Sequence, residues 1–170
     1  MDQDMTSRPQ RGADRDPVVT SIMNADIPAV SPDATVAFVC KAMVTYDAAG
    51  VAVVENGEIV GIITESDIIA RQADVEAPTP VPWLDAIFIA DAGRLYEEEI
   101  RRALATNARM LMSAPVISIR SDATLNEVAS VMLERDVHPL PVVDANGTYL
   151  GIVSRKDLVR VIAEMENQDV

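Results

Sequence analysis

The chain has 170 residues, with 27 acidic and 14 basic side chains and a formal charge of -13. That length suits one domain or two small halves sharing a core, and the acidity counts against a nucleic-acid or anionic-membrane partner, which needs a basic face. No apolar run approaches the roughly 18 residues of a membrane span, and one cysteine (Cys40) with one histidine (His138) excludes an internal disulfide framework and most zinc hydrolase designs.

Residues 1–17 mix aspartates with arginines and have no apolar core, so they read as a disordered tail and not a secretory signal. A reducing, cytoplasmic setting is the matching expectation. Residues 18–73 open with a short apolar stretch, Ile27 to Val30, predicted as a strand. Asp33 stands near a helix start, where a carboxylate meets the positive end of the dipole. Val36, Val39, Cys40, Met43 and Val44 then recur at helical spacing. Val51 to Val54 and Ile59 to Ile63 read as strands around Asn56-Gly57, a tight-hairpin signal. A closing helix begins at Glu65.

Residues 74–107 form an insertion. Pro78, Pro80 and Pro82 make its start an extended linker. Asp91 to Asn107 reads as an amphipathic helix with Tyr96, Ile100, Ala103 and Leu104 on one face. Glu97 and Glu98 precede Arg101 and Arg102 by four residues, the pattern of a solvated helix face. Trp83, Leu84, Ile87 and Phe88 suit a cover over a core edge.

Residues 108–166 repeat the first unit. Ile22 to Glu55 aligns without a gap on Leu111 to Asp144, at an offset of 89. Met23, Asp33-Ala34-Thr35, Val39, Met43, Asp47 and Val53-Val54 each meet their own kind. One extra residue in the second turn, Asp144-Ala145-Asn146-Gly147, then moves the offset to 90, where Gly61 meets Gly151 and Asp67 meets Asp157. The second copy therefore has a strand at Val116 to Ile119, a helix with Leu125, Val128, Ala129, Met132 and Leu133, strands at Leu140 to Val143 and Tyr149 to Val153, and a helix from Arg155. The predicted fold is α+β with α/β-type packing: two pseudo-symmetric β-α-β-β-α units, each too small to be comfortable alone, packed through their sheets.

The segments with chemical content end each hairpin: Gly61-Ile62-Ile63-Thr64-Glu65-Ser66-Asp67 and Gly151-Ile152-Val153-Ser154-Arg155-Lys156-Asp157. Two readings fit. In one, Thr64 and Ser154 are helix N-caps, and Asp67 and Asp157 are the favoured acids at the third helical position. In the other, the same turn is a nucleotide seat, with free N–H groups and a hydroxyl for phosphate and a carboxylate to accept from ribose hydroxyls. Cys40 reads as a buried, inert thiol, and Arg120 as a candidate to point into a cleft.

The doubled unit, the paired Gly-apolar-apolar-Thr/Ser-x-x-Asp motif and the His138-Pro139-Leu140-Pro141-Val142 segment resemble a tandem CBS domain pair, or Bateman module, in a stand-alone protein. The resemblance implies two clefts between repeats, a ligand among AMP, ADP, ATP or S-adenosylmethionine, no required cofactor and no metal, a homodimer, and regulation of a partner in place of catalysis. It implies a hydroxyl on phosphate and an Asp on ribose at Ser154 and Asp157, and at Thr64 and Asp67. It carries adenine contacts, less securely, to Val116, Ile117, Pro139 and Leu140, and makes His138 a candidate contact. Residues 18–73 hold 7 acids and 2 bases and residues 108–170 hold 9 acids and 6 bases. Arg155 and Lys156 therefore mark Ser154–Asp157 as the phosphate-bearing side, with Thr64–Asp67 weaker, empty or suited to an uncharged or cationic ligand. The competing expectation is a protein-interaction or dimerisation module whose nucleotide clefts are empty, vestigial or filled by its own insertion.

Overall fold

A computed structural model describes residues 16–72, 97 and 100–168. Residues 1–15 of the tail, the proline linker, Trp83 to Phe88, and residues 91–96, 98 and 99 of the acidic helix lie outside the described residues, while Asp16 and Pro17 are placed against the start of the second repeat's first long helix. The first repeat contains helix α1 (Val36–Thr45), strands β1 (Gly50–Glu55) and β2 (Glu58–Thr64), and helix α2 (Glu65–Ala70). A short helix α3 (Ala108–Leu111) enters the second repeat, which continues with β3 (Ile119–Arg120), α4 (Leu125–Glu134), β4 (Leu140–Val143), β5 (Tyr149–Val153) and α5 (Arg155–Gln168).

The hairpins form where turn chemistry and alternating apolar residues place them. β1 pairs antiparallel with β2 from Gly50–Thr64 to Glu55–Glu58, and β4 pairs with β5 from Leu140–Val153 to Val143–Tyr149. Asn56 and Gly57 both take positive φ, as the two-residue turn requires. The second turn is one residue longer. There Asp144 Oδ1 accepts from the N–H groups of Asn146 and Thr148, each at 2.8 Å, and these donors hold its carboxyl below the usual range.

The predicted first strands are shorter than their apolar runs. Val30 makes only a parallel bridge to Val53, and β3 covers two residues beside β4. Pro28 and Pro32 flank Val30 and have no N–H to offer a ladder. The helix starts also differ from expectation. Thr35 and Thr124 are the caps of α1 and α4, accepting from Phe38 N and Glu127 N. Asp33 and Asp122 lie in the turns before them, and Asp122 pairs with Arg120 at 3.0 Å on the surface. This pair occupies the arginine expected in a cleft and pulls the Asp122 carboxyl below its usual range. Val44 and Leu133 leave the predicted buried faces and are largely exposed.

The two repeats exchange their leading segments. Asn24 in the first pairs with Ile152 of β5, and Ser113 in the second pairs with Ile62 of β2. Leu125 N donates to Pro17 O at 2.8 Å, and Val36 N to Thr106 O at 3.3 Å, an offset of 89 at both ends. The cores follow this exchange. Val39, Val51, Val53 and Ile63 of repeat one pack with Ala105, Ala108, Leu111 and Ile152. Val128, Met132, Leu140 and Val142 of repeat two pack with Val19 and Ile22. Equivalent residues meet at the pseudo-twofold axis: a Cβ on Gly50 would sit 3.0 Å from Pro139 Cγ and 2.7 Å from Ile63 O.

The exchange also fixes two further glycines. A Cβ on Gly151 would stand 2.7 Å from Asn24 O and 3.0 Å from Ala25 Cα, which are backbone atoms. A Cβ on Gly61 would meet Met112, whose Sδ and Cγ can swing aside but whose Cβ, at 2.9 Å, moves only with its backbone. Gly151→Ala is therefore expected to lower unfolding free energy by about 2–3 kcal/mol and Gly61→Ala by about half as much, read from denaturant midpoints. Equal midpoints for the two variants would contradict the backbone contact.

Candidate functional site

Both hairpin ends are helix caps. Asp157 Oδ2 accepts from Ser154 N at 2.9 Å and Ser154 Oγ at 2.6 Å. Asp67 Oδ2 accepts from Thr64 N and Thr64 Oγ1, each at 2.8 Å. The capping reading of these residues is thus real in both copies. What separates the copies is the other carboxylate oxygen.

Asp67 is the buried charged residue among those described. Its Oδ1 accepts from Ser113 Oγ at 3.1 Å and lies 3.6 Å from Arg102 Nε. Arg102 Nη2 donates to Ser113 Oγ at 3.2 Å, and Arg102 Nε is buried without a hydrogen-bond partner among the described residues. The chain thus fills this carboxylate's acceptor sites with its own groups, in part from the end of the insertion. A buried carboxylate needs such company, since desolvating an unpaired charge costs several kcal/mol.

Asp157, with 15% of its side chain exposed, borders a cavity instead. Its Oδ1 accepts from Arg160 Nη2 at 3.2 Å, and Arg160 Nη2 also donates to Ile22 O at 3.2 Å. Ser154, Lys156, Asp157 and Arg160 line a cavity of about 420 Å³ with Asn24, Ile27, Ile152 and the Tyr46–Ala49 turn. Its walls come from both repeats. Tyr149 Oη donates to Ile27 O at 2.8 Å, which fixes the backbone of one lining residue, and burial raises the Tyr149 phenol.

Of the residues singled out in the sequence, Ser154, Lys156 and Asp157 come together here. Arg155 turns to Asp136 at 3.6 Å. Leu140 is fully buried in the second core, and Pro139 is buried against Gly50. Thr64, Asp67, Val116, Ile117 and the exposed His138 are not among the lining residues. Ile27 and Ala49, the repeat-one counterparts of Val116 and His138, stand in this cavity. The cause is the exchange, which sets each motif against the other repeat. Asn24, Ile27, Tyr46, Asp47 and Arg160 were missed. The internal offset, applied crosswise to Val116, was the signal for Ile27; the counterparts of Asn24, Tyr46, Asp47 and Arg160 carried none.

Cys40 is half-buried and lines a neighbouring groove of about 570 Å³ between α1 and α2, with Met43, Val44, Ile68 and Ile69; the groove shares Asp47 and Ala48 with the cavity. Among the described residues no His, Cys, Asp or Glu group could hold a metal, and no helix is long and apolar enough to cross a membrane.

A family model for the CBS domain matches residues 19–74 and 108–164. The chain belongs to the CBS domain family. The two matches bracket the exchanged halves, so the architecture is a tandem CBS pair. A curated relative, the uncharacterized protein MJ1426 of Methanocaldococcus jannaschii, is 35% identical over 116 residues, 64% of this chain and 68% of that protein. The structure of CBSX2 in complex with AMP superposes with a TM-score of 0.68 at 22% identity, covering 86% of this chain and 97% of that one; CBSX2 is from Arabidopsis thaliana. MJ1225 of Methanocaldococcus jannaschii, a proposed archaeal homologue of g-AMPK, gives a TM-score of 0.62 at 26% identity. That match covers 88% of this chain and 49% of MJ1225, so the CBS pair spans about half of that protein.

The two motif aspartates do different structural work. Asp67 ties residues 46 positions apart, whereas Asp157 bonds within its own helix start. Asp67→Ala is expected to cost about 2–3 kcal/mol of stability and Asp157→Ala about 1 kcal/mol, measured by urea unfolding. A larger loss for Asp157→Ala would refute the bridging role.

Proposed function

We propose that this CBS pair is a regulatory module that binds one adenosyl ligand in the cavity at Ser154–Asp157. The observation that carries the reading is the make-up of that cavity. Ile27, Ala48 and Ile152 offer apolar surface, Lys156 offers an ammonium, and Ser154 and Asp157 offer a hydroxyl and a carboxylate that bond each other until a ligand takes both. About 420 Å³ lies within the usual range for a small-ligand site. AMP, bound by CBSX2, heads the candidates, with ADP, ATP and S-adenosylmethionine beside it. In this reading Ser154 and Lys156 meet phosphate and Asp157 accepts from ribose. His138, Val116 and Ile117 belong by repeat symmetry to the Thr64–Asp67 side, which Ser113 and Arg102 close. Binding acts by favouring one arrangement of the two repeats, since ligand contacts fall on both. The output passes to a regulated protein in the cytoplasm, and the module itself does no chemistry.

Isothermal titration with the four ligands tests this. One bound ligand per chain is expected, lost or weakened at least tenfold in Asp157→Asn and unchanged within twofold in Asp67→Asn. At 100 times Kd the ligand should add about 2.7 kcal/mol to stability. A flat response across the panel would favour an interaction module with empty clefts.

A homodimer completes the proposal. Val44 and Ile69 of repeat one, and their counterparts Leu133 and Val159 of repeat two, are exposed apolar residues on the helix faces. Such patches mark contact surfaces. Sedimentation should give a dimer that Val44→Asp with Leu133→Asp converts to monomer. A monomeric wild type at micromolar concentration would refute it.

A further inference from the structure

The charged residues lining the cavity are Asp47, Lys156, Asp157 and Arg160. Arg160 is held by Asp157 Oδ1 and Ile22 O. Lys156 extends across the opening to the Asp47 carboxylate, 109 residues away in the other repeat. Both partners are largely solvent-exposed. A pair so exposed adds little to stability. Each cation of the cavity therefore faces an anion of the same cavity, and a phosphate would have to displace one.

The backbone at Asp47 says more. The end of α1 closes through Tyr46 N on Ala42 O and Ala48 N on Met43 O at 2.9 Å. Asp47 follows the cap in the left-handed region, at φ 48°. Glycine is the least strained residue there, with asparagine next. The Asp47 carboxylate is not needed for the closure, since both closing bonds are backbone. It bonds Lys156 instead, and that bond raises the Lys156 ammonium's pKa. Asp136, its counterpart in repeat two, takes the same conformation at φ 49° and pairs with Arg155, so the turn itself accommodates an aspartate; what distinguishes Asp47 is that its partner, Lys156, lines the cavity.

The geometry points to Asp47 as the residue that sets how much phosphate the cavity accepts. It competes with phosphate for Lys156 and repels each further negative charge. This rests on the adenosyl-ligand reading above. The wild type is then tuned to a ligand of low negative charge, and added phosphates gain it little affinity.

Adenosine, AMP and ATP titrated into the wild type, Asp47→Asn and Lys156→Gln decide the matter. Asparagine tolerates positive φ, so Asp47→Asn keeps the turn. At low salt Asp47→Asn is expected to tighten ATP about tenfold, AMP about threefold and adenosine less than twofold. Lys156→Gln should weaken AMP and ATP and leave adenosine unchanged. An equal factor for all three ligands in Asp47→Asn, or none, overturns the role of Asp47 while leaving the ligand site standing. Failure of the wild type to bind any of the three overturns both.

Discussion

The structure depends on one constraint: each repeat must receive its leading segment's partner from the other. Asn24 exchanges two backbone hydrogen bonds with Ile152, at 2.8 and 3.1 Å, and Ser113 exchanges two with Ile62, at 3.1 and 2.9 Å. A unit of about 50 residues buries too little surface to stand alone. The exchange makes up the shortfall by sending Leu111 into one core and Ile22 into the other. It also demands glycine at 61 and 151, where the entering segment lies against the strand. Gly61 and Gly151 are thus markers of an interlock and not of a turn.

The same interlock sets the two motifs in matching backbone surroundings and then leaves the side chains to distinguish them. Asn24 and Ser113 occupy matching places. The Ser113 hydroxyl donates to Asp67, whereas Asn24 Oδ1 turns back to accept from Asp26 N at 2.9 Å. Arg160 has Ala70 as its counterpart, so the first motif lacks a cation on its own helix and takes Arg102 from residues 100–103, which are helical. One carboxylate becomes a buried structural node and the other stays at a cavity edge. Nearly identical backbones thus give opposite electrostatic results, because a carboxylate bonds to whatever donors its acceptor sites reach first.

Much of this was legible. The hairpins and closing helices follow from turn residues, apolar alternation and caps that act locally, and Tyr149–Val153 begins and ends as predicted. The pairing of motif to cleft was not legible in that way. Ser154, Lys156 and Asp157 line one cavity as a group, whereas His138, Val116 and Ile117, which are near them in the chain, do not. Local patterns do not record which repeat a segment packs on. Leu140 failed for another reason. An apolar residue in a strand suits an adenine contact and a core equally, and only burial decides. Arg120 was lost to Asp122, two residues away, since a near carboxylate outcompetes a distant cleft.

In the proposed reading, stability and ligand choice rest on different residues. The cores, the exchanged backbone bonds and the buried Asp67 cluster hold the fold, and being apolar, main-chain or buried they are little screened by salt. The Asp47–Lys156 pair holds almost nothing, being exposed and screened. Yet it joins the two repeats at the mouth of the cavity, where a bound ligand also joins them. In the proposed reading a contact too weak to stabilise the fold still matters to a ligand, because the Asp47 charge stays at the mouth after the pair is broken. The net charge of -13 is the background against which one exposed lysine and one exposed aspartate act there. An acidic protein that is to receive an anionic ligand needs a local cation; Lys156 is that cation in this reading, and Asp47 limits what it can attract.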